Sequence, residues 1–456
     1  MKLDTTLTPR ALAADTARLF STAAKKITLL NRAWNPDKGT PVFTVEGRYT
    51  SRGWTEWTQG FQFGMPILQY AATGEKKFLA LGRENTRRHM AGHVSHIGVH
   101  DHGFNNVSTY GNLLHLARAG LAPATAGDID FYELAIKISG AVQAARWTDL
   151  PDGTGYIYSF NGPHSLFSDT VRSLRALALS HRLGHVLMGE RDRRISLLER
   201  LIKHAGTTAR YNVYYGKNRD AYDIRGRVVH ESIFNTNDGS YRCPSTQQGY
   251  SPFTTWTRGL SWILCGYAEQ LEFLSTLSDA EFKPHGGKAR VLASFLETAC
   301  ATADFHIGQT PTDGIPYWDT GAPGLAHMGD YLNRPADPFN DHEPVDSSAA
   351  AISAQGLIRL ANYLAKKKPK LAARYLAAGL TTARTLFSEP YLSTATKHEG
   401  LLLHSIYHRP NGWDHTPAGS KIPCGESCMW GDYHAMELAL LIQRMAEGKY
   451  YTFFSF

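Results

Sequence analysis

Apolar residues recur with helical spacing along most of the chain, and the polarity of the intervening positions changes from one segment to the next. The spacing predicts twelve helices, at about 8–32, 58–73, 75–92, 106–119, 128–146, a sixth that follows Asp169, then 190–213, 256–275, 279–303, 346–364, 367–387 and 430–446. Pro9 falls in the opening turn of the first, while Gly74 and Gly120 stop the second and fourth. The third, seventh and eleventh are rich in charge. The eighth, with Trp262, Ile263, Leu264, Tyr267 and Leu271, is apolar nearly all round, and so is the tenth. A helix apolar all round must be buried, and one with a polar face must lie outside. Six buried helices inside six amphipathic ones make a closed toroid, an all-α (α/α)6 barrel. It is expected to occupy 1–456 as a single domain. An open solenoid of helix pairs is the competing arrangement. Unequal linkers and the lack of a visible repeat speak against it.

Other stretches break the helical pattern. VFTVEG at 42–47 reads as a short strand. Residues 214–250 read as turns and hairpin strands around Val228, Val229, Ile233 and Phe234, with NDG at 237–239 as the turn. Two long loops, 305–345 and 389–425, exceed the length at which loops usually serve function. The tail YYTFFSF is too aromatic to be solvated and is expected to pack back.

The start of the sixth helix organises the reading of function. Ser168 and Asp169 precede the periodic run Val171, Leu174, Leu177, Ala178, so Ser168 reads as the N-cap and Asp169 as a first-turn acid. Alone, such an aspartate is ordinary, worth about 0.3–1 kcal/mol against the helix dipole. But polar or aromatic clusters precede every second helix. Trp54 and Trp57 stand before the second; His100, Asp101, Gly103 and Phe104 before the fourth; His164 and Asp169 at the sixth. Gln248, Trp256, Arg258 and Trp262 mark the eighth, Asp346, Ser347 and Ser348 the tenth, and Trp430, Asp432 and Tyr433 the twelfth. In an alternating toroid these helices point the same way, and their N-termini surround one mouth. That mouth favours an anion, Arg258 suits a carboxylate, and the tryptophans suit a sugar ring. Asp101 and Asp169 become candidates for acid/base work, with pKa values expected to be raised by an apolar pocket and a second carboxylate. Taken singly, each Trp reads as core, Asp101 as a cap and His230 as a hydrogen-bonded structural histidine.

Composition narrows the classes. The 456 residues carry 43% hydrophobic and 20% charged residues and a net charge of +7. Basic residues are scattered apart from Lys366, Lys367 and Lys368, so no nucleic-acid partner is expected. The five cysteines imply no disulfide framework, and Cys424 and Cys428 lack the partners of a zinc site, so neither metal nor cofactor is expected. The first residues have early acids and no apolar signal region, and no run of about 18 apolar residues predicts a membrane span. The expectation is a cytoplasmic monomer or homodimer.

The chain resembles glycoside hydrolase family 88, the unsaturated glucuronyl hydrolases, and the related family 105, the unsaturated rhamnogalacturonyl hydrolases. The matching stretches are WTQGFQFGM (57–65), HDHGF (100–104), the Asp169 helix start, QQGYSPFTTWTRGLSWILCGYA (247–268), DGIPYWD (313–319), DSSAAAISAQGL (346–357) and CMWGDYHAMELAL (428–440). The resemblance implies an (α/α)6 barrel that removes a 4,5-unsaturated uronic acid, of glucuronyl type, from the non-reducing end of lyase-generated oligosaccharides. It implies Asp169 as general acid/base and Asp101 as second acidic residue. It places His230, Gln248, Arg258 and Trp262 against substrate and Trp57 as a stacking residue; His100 and Trp430 are expected to bind substrate from their place at the mouth. The chain departs from the family pattern after Asp169, where TVRSL replaces a Met/Leu-Asn pattern, and the aromatic ahead of Asp169 is open among Tyr156, Tyr158 and Phe160. The chemistry implied is protonation at C4 of the enol ether, addition of water at C5, and ring opening that expels the leaving sugar. Competing readings are an unsaturated galacturonyl hydrolase, a sugar 2-epimerase using histidines such as His100, His164 and His230, and a carbohydrate-binding toroid without activity.

Overall fold

The computed structural model describes residues 1–53 and 56–455; Trp54 and the final Phe456 lie outside them. Among the described residues the helices, numbered in chain order, are α1 Ala13–Ala33, α2 Gln59–Thr73, α3 Lys76–His89, α4 over 102–118, α5 Ala126–Ala145, α6 over 170–182, α7 Leu197–Tyr211, α8 Thr257–Ser275, α9 Lys288–Gly308, α10 Ser347–Leu364, α11 Pro369–Leu386 and α12 Met429–Ala446. The even-numbered helices contact one another in sequence, and α12 returns to α2, so the inner ring closes. The odd-numbered helices pack outside. Burial follows the amphipathic pattern. In α8 every residue from Thr257 to Leu274 is buried, whereas α3 buries only Phe78, Leu79, Gly82 and Thr86. The chain therefore folds as an (α/α)6 barrel.

Several boundaries differ from the sequence reading. The seventh helix starts at Leu197, not near 190, with Ser196 capping Glu199 N. Residues ahead of it form a 3-10 turn, Glu190–Asp192, inside a two-stranded ribbon of Leu187–Met188 and Arg194–Ile195. The charged run there has no apolar stripe to bury, so local charge did not extend the helix. The ninth helix begins at Lys288, after a 3-10 segment Asp279–His285 that contains Pro284. The fourth begins earlier than expected, with Asp101 at its N-cap and a π turn at Val107–Gly111. Asp169, not Ser168, is the N-cap of α6, and its side chain makes no capping bond. The helix is interrupted at Leu174, between Thr170–Ser173 and Arg175–Arg182.

The middle of the barrel holds a charge cluster that periodicity did not reveal. Arg172, Arg175 and Arg359 meet Glu269, Glu272 and Glu437, all buried. Arg172 Nη2 and Arg175 Nη2 each lie 3.0 Å from Glu437, and Arg359 Nη1 lies 3.0 Å from Glu272. Arg172, in the TVRSL stretch after Asp169, is a partner in this cluster. The aromatic tail packs back as expected: Phe453 and Phe454 lie against Phe273, and Tyr451 is buried.

Candidate active site

The N-terminal ends of α2, α4, α6 and α8 converge on an open cavity lined among others by Trp57, His100, Asp101, Asp169, Arg258 and Trp262. A small antiparallel sheet aligns its far wall. Ser165–Phe167 pairs with Glu231–Phe234, which pairs with Tyr241–Ser245. Ser168 N donates to His230 O at 2.8 Å, so the strand delivers His230 beside Asp169.

His100 sits between the two acids. Its Nε2 lies 3.6 Å from Asp169 Oδ1 and 3.8 Å from Asp101 Oδ1. Among the described residues neither ring nitrogen, nor Asp169 Oδ1, has a partner within hydrogen-bond distance, although all are buried. Phe160 stacks on the ring at 6.0 Å and Phe167 meets it edge-on at 5.6 Å. The His100 carbonyl accepts from Gln143 Nε2 at 2.8 Å and Ser173 Oγ at 2.7 Å. Ser173 Oγ also accepts from Gly103 N at 2.9 Å. A Cβ at Gly103 would lie 2.0 Å from Ser173 O, so only glycine lets α4 approach α6 this closely.

The charges follow from this geometry. Burial opposes a charged His100, but Asp101 and Asp169 outweigh it and raise its pKa. Burial raises Asp101 more than His100 lowers it. Burial also pushes Asp169 up, yet contact with His100 and its charge bring it below the ordinary carboxylate range. The sequence expectation of two raised carboxyls therefore holds for Asp101 and fails for Asp169, because the positive partner was not foreseen between them.

Arg258 is less available than expected. Nη1 donates to Asp346 Oδ2 at 3.0 Å and to the Ile406 carbonyl; Nη2 donates to Gln248 Oε1 at 2.9 Å and to Tyr407 O at 2.7 Å. Its guanidinium also lies between Trp256 and Trp430, 4.7 and 4.8 Å from the ring centroids. A carboxylate that binds the guanidinium in bidentate fashion must displace one of these acceptors, and Gln248 is the one on a cavity-lining side chain. Asp346 caps α10 by accepting from Ser348 N and Ala349 N, which explains the DSSA stretch.

The remaining expected residues divide. Trp57 lines the cavity and stacks at 4.9 Å on Trp430, which is fully buried behind it and donates to Ser348 Oγ at 3.0 Å. Trp262 forms floor against Phe104, 4.9 Å away. His230 stands behind the lining, between Phe167 and Trp256, with Nδ1 accepting from Gln247 N at 3.0 Å. Burial pushes its pKa down to about 4, so it is neutral. Of the three candidate aromatics, Phe160 lines the cavity. Tyr156 is buried with its hydroxyl on Pro163 O, and Tyr158 packs under Arg146. His164 is not among the lining residues. Sequence reading missed Gln247 and the rim residues Tyr407, His408, Asn411 and Trp413. The only signal for the rim was the length of loop 389–425, since a loop offers no periodicity from which to choose residues.

No protein-family model matches the sequence. The chain is 28% identical to an unsaturated glucuronyl hydrolase of Bacillus sp. strain GL1 over 222 residues, 49% of this chain and 48% of that protein, about half its length. It is 25% identical to an unsaturated glucuronyl hydrolase of Formosa agariphila over 388 residues, 84% of this chain and 78% of that one. The crystal structure of the Bacillus sp. GL1 enzyme superposes with a TM-score of 0.70 at 22% identity, covering 94% of this chain and 97% of the other. These relatives are unsaturated glucuronyl hydrolases.

Proposed function

We propose that the chain is a single-domain glycoside hydrolase that removes a 4,5-unsaturated uronic acid of glucuronyl type from the non-reducing end of oligosaccharides. The observation that carries this reading is His100 held between Asp101 and Asp169 in an aromatic-walled cavity, with its Nε2 within ion-pair distance of both carboxylates. Such a triad stores a proton without fixing it. The raised pKa of His100 and the lowered pKa of Asp169 favour the proton on His100 over Asp169 in the free site. An anionic sugar that seals the cavity removes water and adds negative charge, and both changes favour protonation of Asp169. Asp169 then gives the proton to C4. Positive character develops at C5, stabilised by the ring oxygen. Asp169, now a carboxylate, takes a proton from the water that adds at C5, and the resulting hemiketal opens and releases the leaving sugar. One carboxyl thus serves as acid and then base, with no covalent intermediate. The carboxylate-separation rule for ordinary glycosidases does not apply to this chemistry.

Trp57, backed by Trp430, offers a stacking face for the sugar, and Trp262 forms the floor. Arg258 accepts the substrate carboxylate by exchange for Gln248, which swings to a sugar hydroxyl. His230 remains neutral and keeps the Gln247–Gln248 turn in place. All five cysteines are unpaired, which suits a reducing cytoplasm. Among the described residues no helix is long and apolar enough to cross a membrane. The reading assigns a monomer or homodimer.

The test is incubation with unsaturated disaccharides from chondroitin, heparin, ulvan, gellan and pectin. Loss of the ultraviolet-absorbing double bond with release of the partner sugar is expected for glucuronyl substrates. A preference for the pectin-derived sugar points to the galacturonyl alternative. Rearrangement with the double bond kept points to an epimerase, and binding without change to a non-enzymatic toroid.

A further inference from the structure

Two successive peptide groups in the loop after α11 lie between opposite charges. The peptide joining Ile406 to Tyr407 gives its carbonyl to Arg258 Nη1 and its N–H to Asp414 Oδ1, the latter at 2.5 Å. The next peptide, joining Tyr407 to His408, gives its carbonyl to Arg258 Nη2 at 2.7 Å and its N–H to Asp414 Oδ2 at 3.1 Å. A guanidinium fork thus holds one edge of the pair and a carboxylate fork the other. Both charges polarise the two amide dipoles in the same sense, so each bond strengthens the one across the peptide from it. The intervening turn is built to bring Asp414 back. His408 Nδ1 accepts from Asn411 N at 3.3 Å, and Gly412 takes a left-handed conformation with φ 63°. The same turn carries His408, Asn411 and Trp413 to the cavity.

We infer that Asp414 is a positioning residue for Arg258, fixing the guanidinium through these two peptide groups without touching it. Arg258 has a rigid floor, since Asp346 is anchored on the α10 cap. Its two backbone acceptors belong to a loop, and a loop carbonyl is only as fixed as what holds its peptide. Asp414 supplies that hold. Its effect on turnover rests on the proposed hydrolase activity; its effect on the loop and on Arg258 does not.

The experiment compares the full chain with Asp414→Asn, which keeps the shape but replaces one acceptor with an amide that faces an N–H. Three readouts are expected. Hydrogen exchange of the peptide spanning 403–413 speeds up at least tenfold while that of α8 is unchanged. KM for an unsaturated disaccharide rises at least threefold with kcat within twofold. In denaturant, the effects of Asp414→Asn and Arg258→Lys on the unfolding equilibrium are non-additive by at least threefold, as befits two groups that share the same peptides. Asp414→Glu keeps both acceptor oxygens and restores part of the KM; it takes the place of the amide variant in the cycle should that variant not fold. Faster loop exchange with an unchanged KM and effects additive within threefold overturns the inference, since Asp414 then only closes its own turn. If the wild type converts no unsaturated disaccharide, the hydrolase reading fails by itself, and the mutant cycle alone decides for or against Asp414.

Discussion

The inner helices carry two groups of buried charge, and α6 contributes to both. Asp169 at its N-cap belongs to the mouth; Arg172 and Arg175, one and two turns further along, belong to the middle of the barrel. In the middle, three guanidiniums meet three carboxylates, and the tail seals the neighbourhood through Tyr450 on Glu272 and Tyr451 O on Arg359. At the mouth, one imidazole is shared by two carboxylates, its nitrogens unbonded, and the cavity opens to solvent. Charge that is matched and sealed holds the helices in register. An imidazole shared by two carboxylates beside an open cavity remains free to exchange a proton. The difference separates structure from function on one helix within a few residues.

The comparison breaks most readily in the middle. Glu437→Gln leaves Arg172 and Arg175 short of a buried partner, and about 3–5 kcal/mol of stability is expected to go with it, read by chemical denaturation. A loss below about 1 kcal/mol would mean the cluster is hydrated and the contrast with the mouth is wrong. At the mouth the expected change is in rate instead. Asp101→Asn should lower kcat about 100-fold, within the range for a group that assists proton transfer, while unfolding stays near wild type. Trp57→Ala is a smaller perturbation: KM should rise about tenfold with kcat nearly kept, as for loss of uniform binding. A fall in kcat alone would place Trp57 in the transition state rather than on the sugar face.

The smallest effect concerns pH. The pKa of His100 is raised in the folded protein, so the stability it gives is present below its ordinary value near 6.5 and is lost as pH rises through the folded value. That of Asp169 is lowered, so its contribution is present above its ordinary value near 3.8 and is lost as pH falls through the folded value. Asp101 is raised and therefore favours the folded state most at low pH. The stability gap between wild type and His100→Gln should be widest between about pH 4 and 6.5 and narrow on the alkaline side, as melting curves across pH would show. A gap that is flat from pH 4 to 9 contradicts the shared-proton arrangement.

Much of this was legible in the sequence, and the limits are physical. The alternation of apolar and charged helices gave the barrel, because burial on all sides leaves a different pattern from burial on one. Helix starts marked Trp57, Asp101, Asp169 and Arg258, since N-termini that share a direction must share a mouth. The Arg–Glu cluster was hidden: Arg172, Glu269 and Glu437 each look like an ordinary helix charge, and only their meeting across the ring makes them a core. The engagement of Arg258 was hidden for the same reason, because Ile406 and Tyr407 hold it through backbone carbonyls, and the Asp414 carboxylate reaches it only through those same peptides, which leaves no signature in side-chain type. The pKa of Asp169 was misjudged because His100 was counted as a substrate contact and not as the charge between the acids.

The most direct measurement sets Asp169→Asn beside the wild type on one unsaturated glucuronyl disaccharide, following the double bond by ultraviolet absorbance and the fold by thermal melting. A proton carrier at the mouth predicts turnover reduced by a factor of about 100 to 10,000 with a melting temperature close to that of the wild type. Undiminished loss of the double bond in the variant contradicts the account, and so does a variant that loses activity only because it no longer folds.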